Sequence, residues 1–199
     1  MKIKKVASIC RRRKRATIYH APDGTQYIST GMAAYAAYNM PKLAQDSLLT
    51  IFDVKKDDWG KWDVLLEGMP QGISFADEVP GEKLVERFPL PIVQNGHVLL
   101  PVMTTKGVIF IDNEYLAPLS DAPFGVELYE RHGGVGTYIA VKAGFDLVAV
   151  ILPEAVINQT FVELLSTLNN ACAYRLQAAQ AEGAERELLD QYSFEEDEE

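Results

Sequence analysis

The sequence predicts an α+β protein: two antiparallel β-hairpin-plus-helix units joined by a further β segment, with a long C-terminal helix. Three observations carry this. Residues 17–52 and 126–165 each run as β-prone stretches broken by glycine, then a proline, then an apolar segment of helical spacing. Residues 92–111 interleave β-prone runs with the tight-turn pairs Asn95-Gly96 and Lys106-Gly107. From Phe161 onward, Leu164, Leu165, Leu168, Cys172 and Leu176 recur at three- and four-residue steps, the period of a helix.

The elements follow in order. Residues 2–15 place Ile3, Val6, Ala7 and Cys10 on one helical face, with cations on the others. Pro22-Asp23-Gly24 sits between the β-prone runs 17–20 and 26–30, where glycine supplies the positive φ of a hairpin turn. Residues 32–38 read as a third strand or a short helix, with the strand favoured by analogy with the second unit, ended by Pro41. Residues 45–52 read as a short helix with Asp46 in its acidic first turn. In residues 61–66, Trp62, Val64 and Leu66 alternate as in a strand. Residues 68–86 show no period and read as the least ordered interior loop. Residues 112–119 form a short connecting turn or helix. Residues 126–130, 138–141 and 147–152 are strands around the turn His132–Gly136 and Gly144, and the last is apolar enough to be buried on both faces. Pro153 stops it, and the C-terminal helix follows to about Leu189.

The expected organisation is one compact domain over residues 1–190, with pseudo-repeats at 17–52 and 126–165 and a β insert at 53–125. Residues 191–199 are expected to form a disordered acidic tail. At 48% hydrophobic and 24% charged, the chain has ordinary globular composition and enough apolar content for a core. No apolar run approaches the roughly 18–20 residues that span a membrane, and the basic N-terminus lacks the apolar core of a secretion signal. A cytoplasmic location is therefore expected. Cys10 and Cys172 lie far apart on apolar faces and read as buried reduced thiols.

Charge is the most asymmetric property. Residues 1–20 hold eight of the 19 cations and no carboxylate, which leaves 11 cations against 28 carboxylates in the rest. Lys4, Lys5, Arg11, Arg12, Arg13, Lys14 and Arg15 are the candidate nucleic-acid contacts, and a phosphate-facing helix competes with a solvated charged face. The acidic remainder suits a basic protein partner. Trp59 and Trp62, beside Asp57 and Asp58, are candidate partner-binding residues, with a role as core caps the alternative. His20, His97 and His132 are isolated in sequence, and no CxxC, HxxxH or HExxH occurs, so neither a metal site nor a cofactor is expected. The glycine-rich stretch 132–137 leads into a strand and lacks the Lys-Ser/Thr of a phosphate loop. Asp57, Asp58, Asp63, Asp77 and Glu78 single out no acid–base pair, so no catalytic residue is assigned and no enzyme is expected. The apolar face of the C-terminal helix could pair two copies as a homodimer.

Two resemblances bear on function. The repeated pattern of residues 27–41 and 138–153 is similar in outline to the repeats of DNA sliding clamps, although Ile28-Ser29-Thr30-Gly31 lacks the aspartate of the Thr-Asp-Gly turn often found there. That likeness implies a DNA-associated replication accessory. The segments MKIKKVASIC, LLTIFDV and YIAVKAGFDLVAVILP resemble a group of small prophage proteins of clostridia-type bacteria, some of them among the anti-CRISPR proteins that inhibit Cas9-type nucleases. This second likeness implies stoichiometric binding to a host nuclease, with DNA contact through the basic helix.

Overall fold

Helix α1, Ile3–Arg13, buries Val6, Ala7, Ile9 and Cys10 and leaves its cations outside. Lys14 ends it in the left-handed conformation (φ 49°), and the chain turns at once into β1, Arg15–His20. The expected Asp-Gly hairpin joins β1 to β2, Gln26–Ser29, with Gly24 at φ +89°. Strand β3, Ala33–Ala36, and helix α2, Gln45–Ile51, follow. A 3-10 turn over Lys56–Lys61 leads to β4, Asp63–Gly68, and the short β5 is Lys83–Val85. A hairpin triplet comes next: β6 Ile92–Gln94, β7 His97–Thr104 and β8 Gly107–Asp112. The 3-10 turn Asn113–Leu119 then leads into β9 Glu127–Gly133, β10 Gly136–Ala143 and β11 Asp146–Ile151. Helix α3 is Gln159–Glu195. The computed structural model describes residues 1–122 and 125–195, apart from the side chains of 181–195. The architecture is α+β, as the sequence predicts.

Two compact units are present, Met1–Ala155 and Val156–Glu199. The first holds an eight-stranded sheet, in the order β4-β1-β2-β3-β11-β10-β9-β5, and the three-stranded sheet β6-β7-β8. All pairs are antiparallel except β1 with β4, whose parallel alignment needs a crossover, and α2 lies in that crossover. The strands β1-β2-β3 and β9-β10-β11 are two meanders that meet through their third strands, Ala33 opposite Ile151 and Tyr35 opposite Ala149. Reading outward from this antiparallel seam, the strand order is the same on both sides, a pseudo-twofold arrangement. Helix α1 leads into one meander and the 3-10 turn Asn113–Leu119 into the other. These two leaders meet through the Lys2 N–H donated to Pro118 O (2.7 Å) and the ion pair of Arg12 with Glu114.

One face of the large sheet carries the main core, where Ile18, Ile28, Tyr35, Ile139 and Ile151 pack with Val6 and Cys10 of α1 and Leu48 of α2. The opposite face is covered by residues 69–82. Ile73 packs there against Tyr138, Ala140, Leu147 and Val150, and Phe75 lies 4.7 Å from the Tyr27 ring. The segment 69–82 is a loop, as expected, but one packed on the sheet, and Lys83–Val85 form a strand where loop was expected. Arg131, fully buried, donates to the carbonyl oxygens of Ser74, Ala76 and Asp77 and pairs with Glu82. The Ser74 N–H donates to Tyr138 Oη, and the Leu147 N–H donates to Asp77 Oδ1. These partners lie 49 to 70 residues away in sequence, so local composition carried no sign of them.

The second unit is α3, started by Asn158, whose Oδ1 accepts the Phe161 N–H at 3.0 Å. It begins inside the stretch expected to form one domain over residues 1–190, and its Val162, Leu164, Leu165, Leu168 and Leu176 are exposed. Helix also continues through 191–195, where a disordered tail was expected, and residues 196–199 lie outside the described residues. Cys10 is buried as expected and Cys172, on α3, is exposed, which corrects its assignment. Burial pushes the Cys10 thiol up to about 12. Among the described residues, no helix is long and apolar enough to cross a membrane.

Candidate nucleic-acid interface

All seven candidate cations are exposed. Helical geometry puts Lys4, Lys5, Arg11 and Arg12 on the single outer face of α1, opposite the buried Val6, Ile9 and Cys10. Lys4 and Lys5 have no ion-pair partner among the described residues. The arginines are more committed. Arg11 donates to the carbonyl oxygens of Phe52 and Asp53, just past the end of α2, where unpaired carbonyls attract a cation. Arg12 pairs with Glu114, and Arg15 pairs with Asp63 at 3.3 Å. Arg11, Arg12 and Arg13 also occupy the last turn of α1, where the helix dipole favours positive charge. The run therefore does structural work at Arg11, Arg12 and Arg15, whereas Lys4, Lys5, Arg13 and Lys14 have no ion-pair partner among the described residues.

The structure brings the two groups of candidate residues together. Arg11 and Lys14 line a shallow depression of about 400 Å³ with Asp53, Lys55, Asp58 and Trp62. Lys55 was not singled out from the sequence. It arrives through the reversal after α2, where Asp53 takes φ +54°. Asp58 accepts a hydrogen bond from Lys61 Nζ at 2.6 Å. That bond, then the charges of Lys61, Lys14 and Lys55, hold its carboxyl below the usual aspartate value.

The tryptophans are not exposed anchors. Trp62 is buried, with its ring 6.0 Å from that of Phe52, and the half-buried Trp59 donates its Nε1–H to Val54 O at 3.0 Å. Alternation along β4 explains this, since Trp62 and Val64 share the core side. Asp57 is exposed in the 3-10 turn.

Elsewhere, a concavity of about 560 Å³ is lined by Glu78, Glu82, Glu127, Tyr129, Lys142 and Phe145, among others. Its inner charges are committed to one another: Glu82 pairs with both Arg131 and Lys142, and Lys142 Nζ lies 4.5 Å from the Tyr129 ring centre. His132 pairs with Glu130 at 2.8 Å, and His97 Nδ1 lies 2.6 Å from Asp112 Oδ2. No protein-family model, curated protein or solved structure matches the chain.

Proposed function

We propose that the protein is a non-enzymatic binding protein of a phage or mobile element, acting in the cytoplasm of a bacterial host. It inhibits a defence nuclease of the Cas9 type and touches nucleic acid through the outer face of α1. The observation that carries the nucleic-acid part is that Lys4, Lys5, Arg11 and Arg12 share the exposed outer face of α1, with Lys14 beside Arg11 at its C-terminal end. Cations in this arrangement contact phosphates without reading sequence. The nuclease part rests on the resemblance of the three segments quoted above, and the acidic remainder of the chain supplies a surface for a basic partner. In the same reading, two copies pair through the apolar stripe of α3.

A DNA-associated clamp-like accessory is the second reading, and the pseudo-twofold pairing of the two meanders favours it. A gel-shift titration with duplex DNA at two salt concentrations, with and without a Cas9–guide complex, separates the readings. Binding that requires the complex, with loss of cleavage, supports the inhibitor. Salt-sensitive binding to DNA alone supports the accessory. Absence of binding in both arms contradicts both.

A further inference from the structure

Folding places three metal-competent side chains together that the sequence holds up to 17 positions apart. His97 is the first residue of β7 and Asp112 the last of β8. Leu99 pairs with Asp112 across the ladder, and His97 lies two residues before Leu99, so His97 and Asp112 stand diagonally on one sheet face. Asp112 then caps the 3-10 turn: its Oδ1 accepts the Glu114 N–H at 2.9 Å, which brings Glu114 to the same spot. One donor atom from each of the three lies within 4.8 Å of the others. A tetrahedral dication with ligand distances of about 2.0–2.2 Å sets its donors roughly 3.3–3.6 Å apart. Side-chain shifts of about an ångström in the exposed His97 and the half-buried Glu114 bring the three donors to that spacing.

We propose that His97, Asp112 and Glu114 form a divalent transition-metal site, with Zn²⁺ the ion that fits best. The donor set is one imidazole nitrogen and two carboxylates. This suits Zn²⁺ better than Ca²⁺, which takes six to eight oxygens. Asp112 is buried and anchored by its turn, whereas His97 is half-exposed, so protein donors sit on the inner side and an open coordination position faces solvent. A dication also compensates two neighbouring carboxylates, for which the present cationic partner is Arg12 on Glu114. The site thus touches the proposed nucleic-acid face: metal binding competes with Arg12 for Glu114. The inference stands on this geometry and is independent of the function proposed above.

The test is isothermal titration of the chelator-treated full-length protein with ZnCl₂, with MgCl₂ as control. One Zn²⁺ per chain and no Mg²⁺ uptake are expected. His97→Gln weakens Zn²⁺ by more than about tenfold, since loss of a supporting contact alone costs about that much. Arg12→Gln tightens it by releasing Glu114. Cys172→Ser leaves it unchanged, which separates this site from adventitious thiol binding. Co²⁺ substitution gives a second readout that needs no affinity: its visible absorption changes in His97→Gln, and circular dichroism verifies that the variant is folded. Failure of the wild type to bind Zn²⁺ stoichiometrically overturns the proposal, as does a folded His97→Gln variant with wild-type affinity and cobalt spectrum.

Discussion

Arg131 is the residue on which the second face of the sheet depends. Its guanidinium is buried, holds three carbonyl oxygens of residues 74–77, and shares Glu82 with Lys142. Arg131→Leu strands those carbonyls and is expected to cost about 3–5 kcal/mol in urea unfolding, the range for breaking a buried pair from one side. A loss under about 1 kcal/mol, a typical surface effect, contradicts the role. Burial works against the Glu82 carboxylate, yet hydrogen bonds from Lys142 and Arg131 outweigh it and hold its pKa below the usual glutamate value. Glu130 moves the same way: burial opposes it, and the two hydrogen bonds from Thr105 prevail. A depressed carboxyl stabilises the fold above its unfolded pKa, about 4.3, and that stability is lost as pH falls through the folded value. Unfolding free energy should therefore decline below about pH 4, and Glu82→Gln should make the decline shallower. An identical pH profile for the variant removes Glu82 from the account.

The elements show where sequence reasoning succeeds and where it stops. The hairpin at Asp23-Gly24, the triplet β6-β7-β8 and the apolar β11 were all legible, because turn chemistry and side-chain period are local. The segment 69–82 was not, because its order comes from Arg131, Tyr138 and Leu147. At one point it approaches the sheet backbone on backbone: a Cβ added at Gly133 would lie 2.0 Å from Gly72 O. Gly133→Ala should destabilise the protein by about 1–3 kcal/mol, the usual cost of overpacking. It should also raise proteolysis within 69–82, and unchanged cleavage there would refute the contact. Helix α3 was legible as a helix but not as a separate unit, since its stripe of Phe161, Leu165, Leu168 and Leu176 has the spacing of a core face. If that stripe pairs two copies, Leu165→Glu with Leu168→Glu converts a dimer to a monomer in light scattering. A wild type already monomeric at high micromolar concentration sinks the homodimer.

Across the whole chain, the division of charge organises the functional reading. The first 20 residues carry eight cations and no carboxylate, and the rest carries 28 carboxylates against 11 cations. This polarity was plain in the sequence. What the sequence concealed is how much of the run is already spoken for: Arg11 by carbonyls after α2, Arg12 by Glu114 and Arg15 by Asp63, all partners 41 to 102 residues away. The candidate site was thus half legible, with its cations identified and their internal partners hidden. Of the two readings of Trp59 and Trp62, the one as core caps fits their packing: Trp59 donates to Val54 O and Trp62 lies against Phe52. The lysines distinguish a binding face from a structural one. The most direct measurement is the salt dependence of duplex affinity for the wild type and for the triple variant Lys4→Gln, Lys5→Gln, Lys14→Gln, in the presence of the nuclease complex if binding requires it. Each phosphate contact contributes about 0.9 to the slope of log affinity against log salt. A folded triple variant whose slope falls by about 2–3 is the predicted result; equal slopes for the two proteins would show that this face does not meet phosphate.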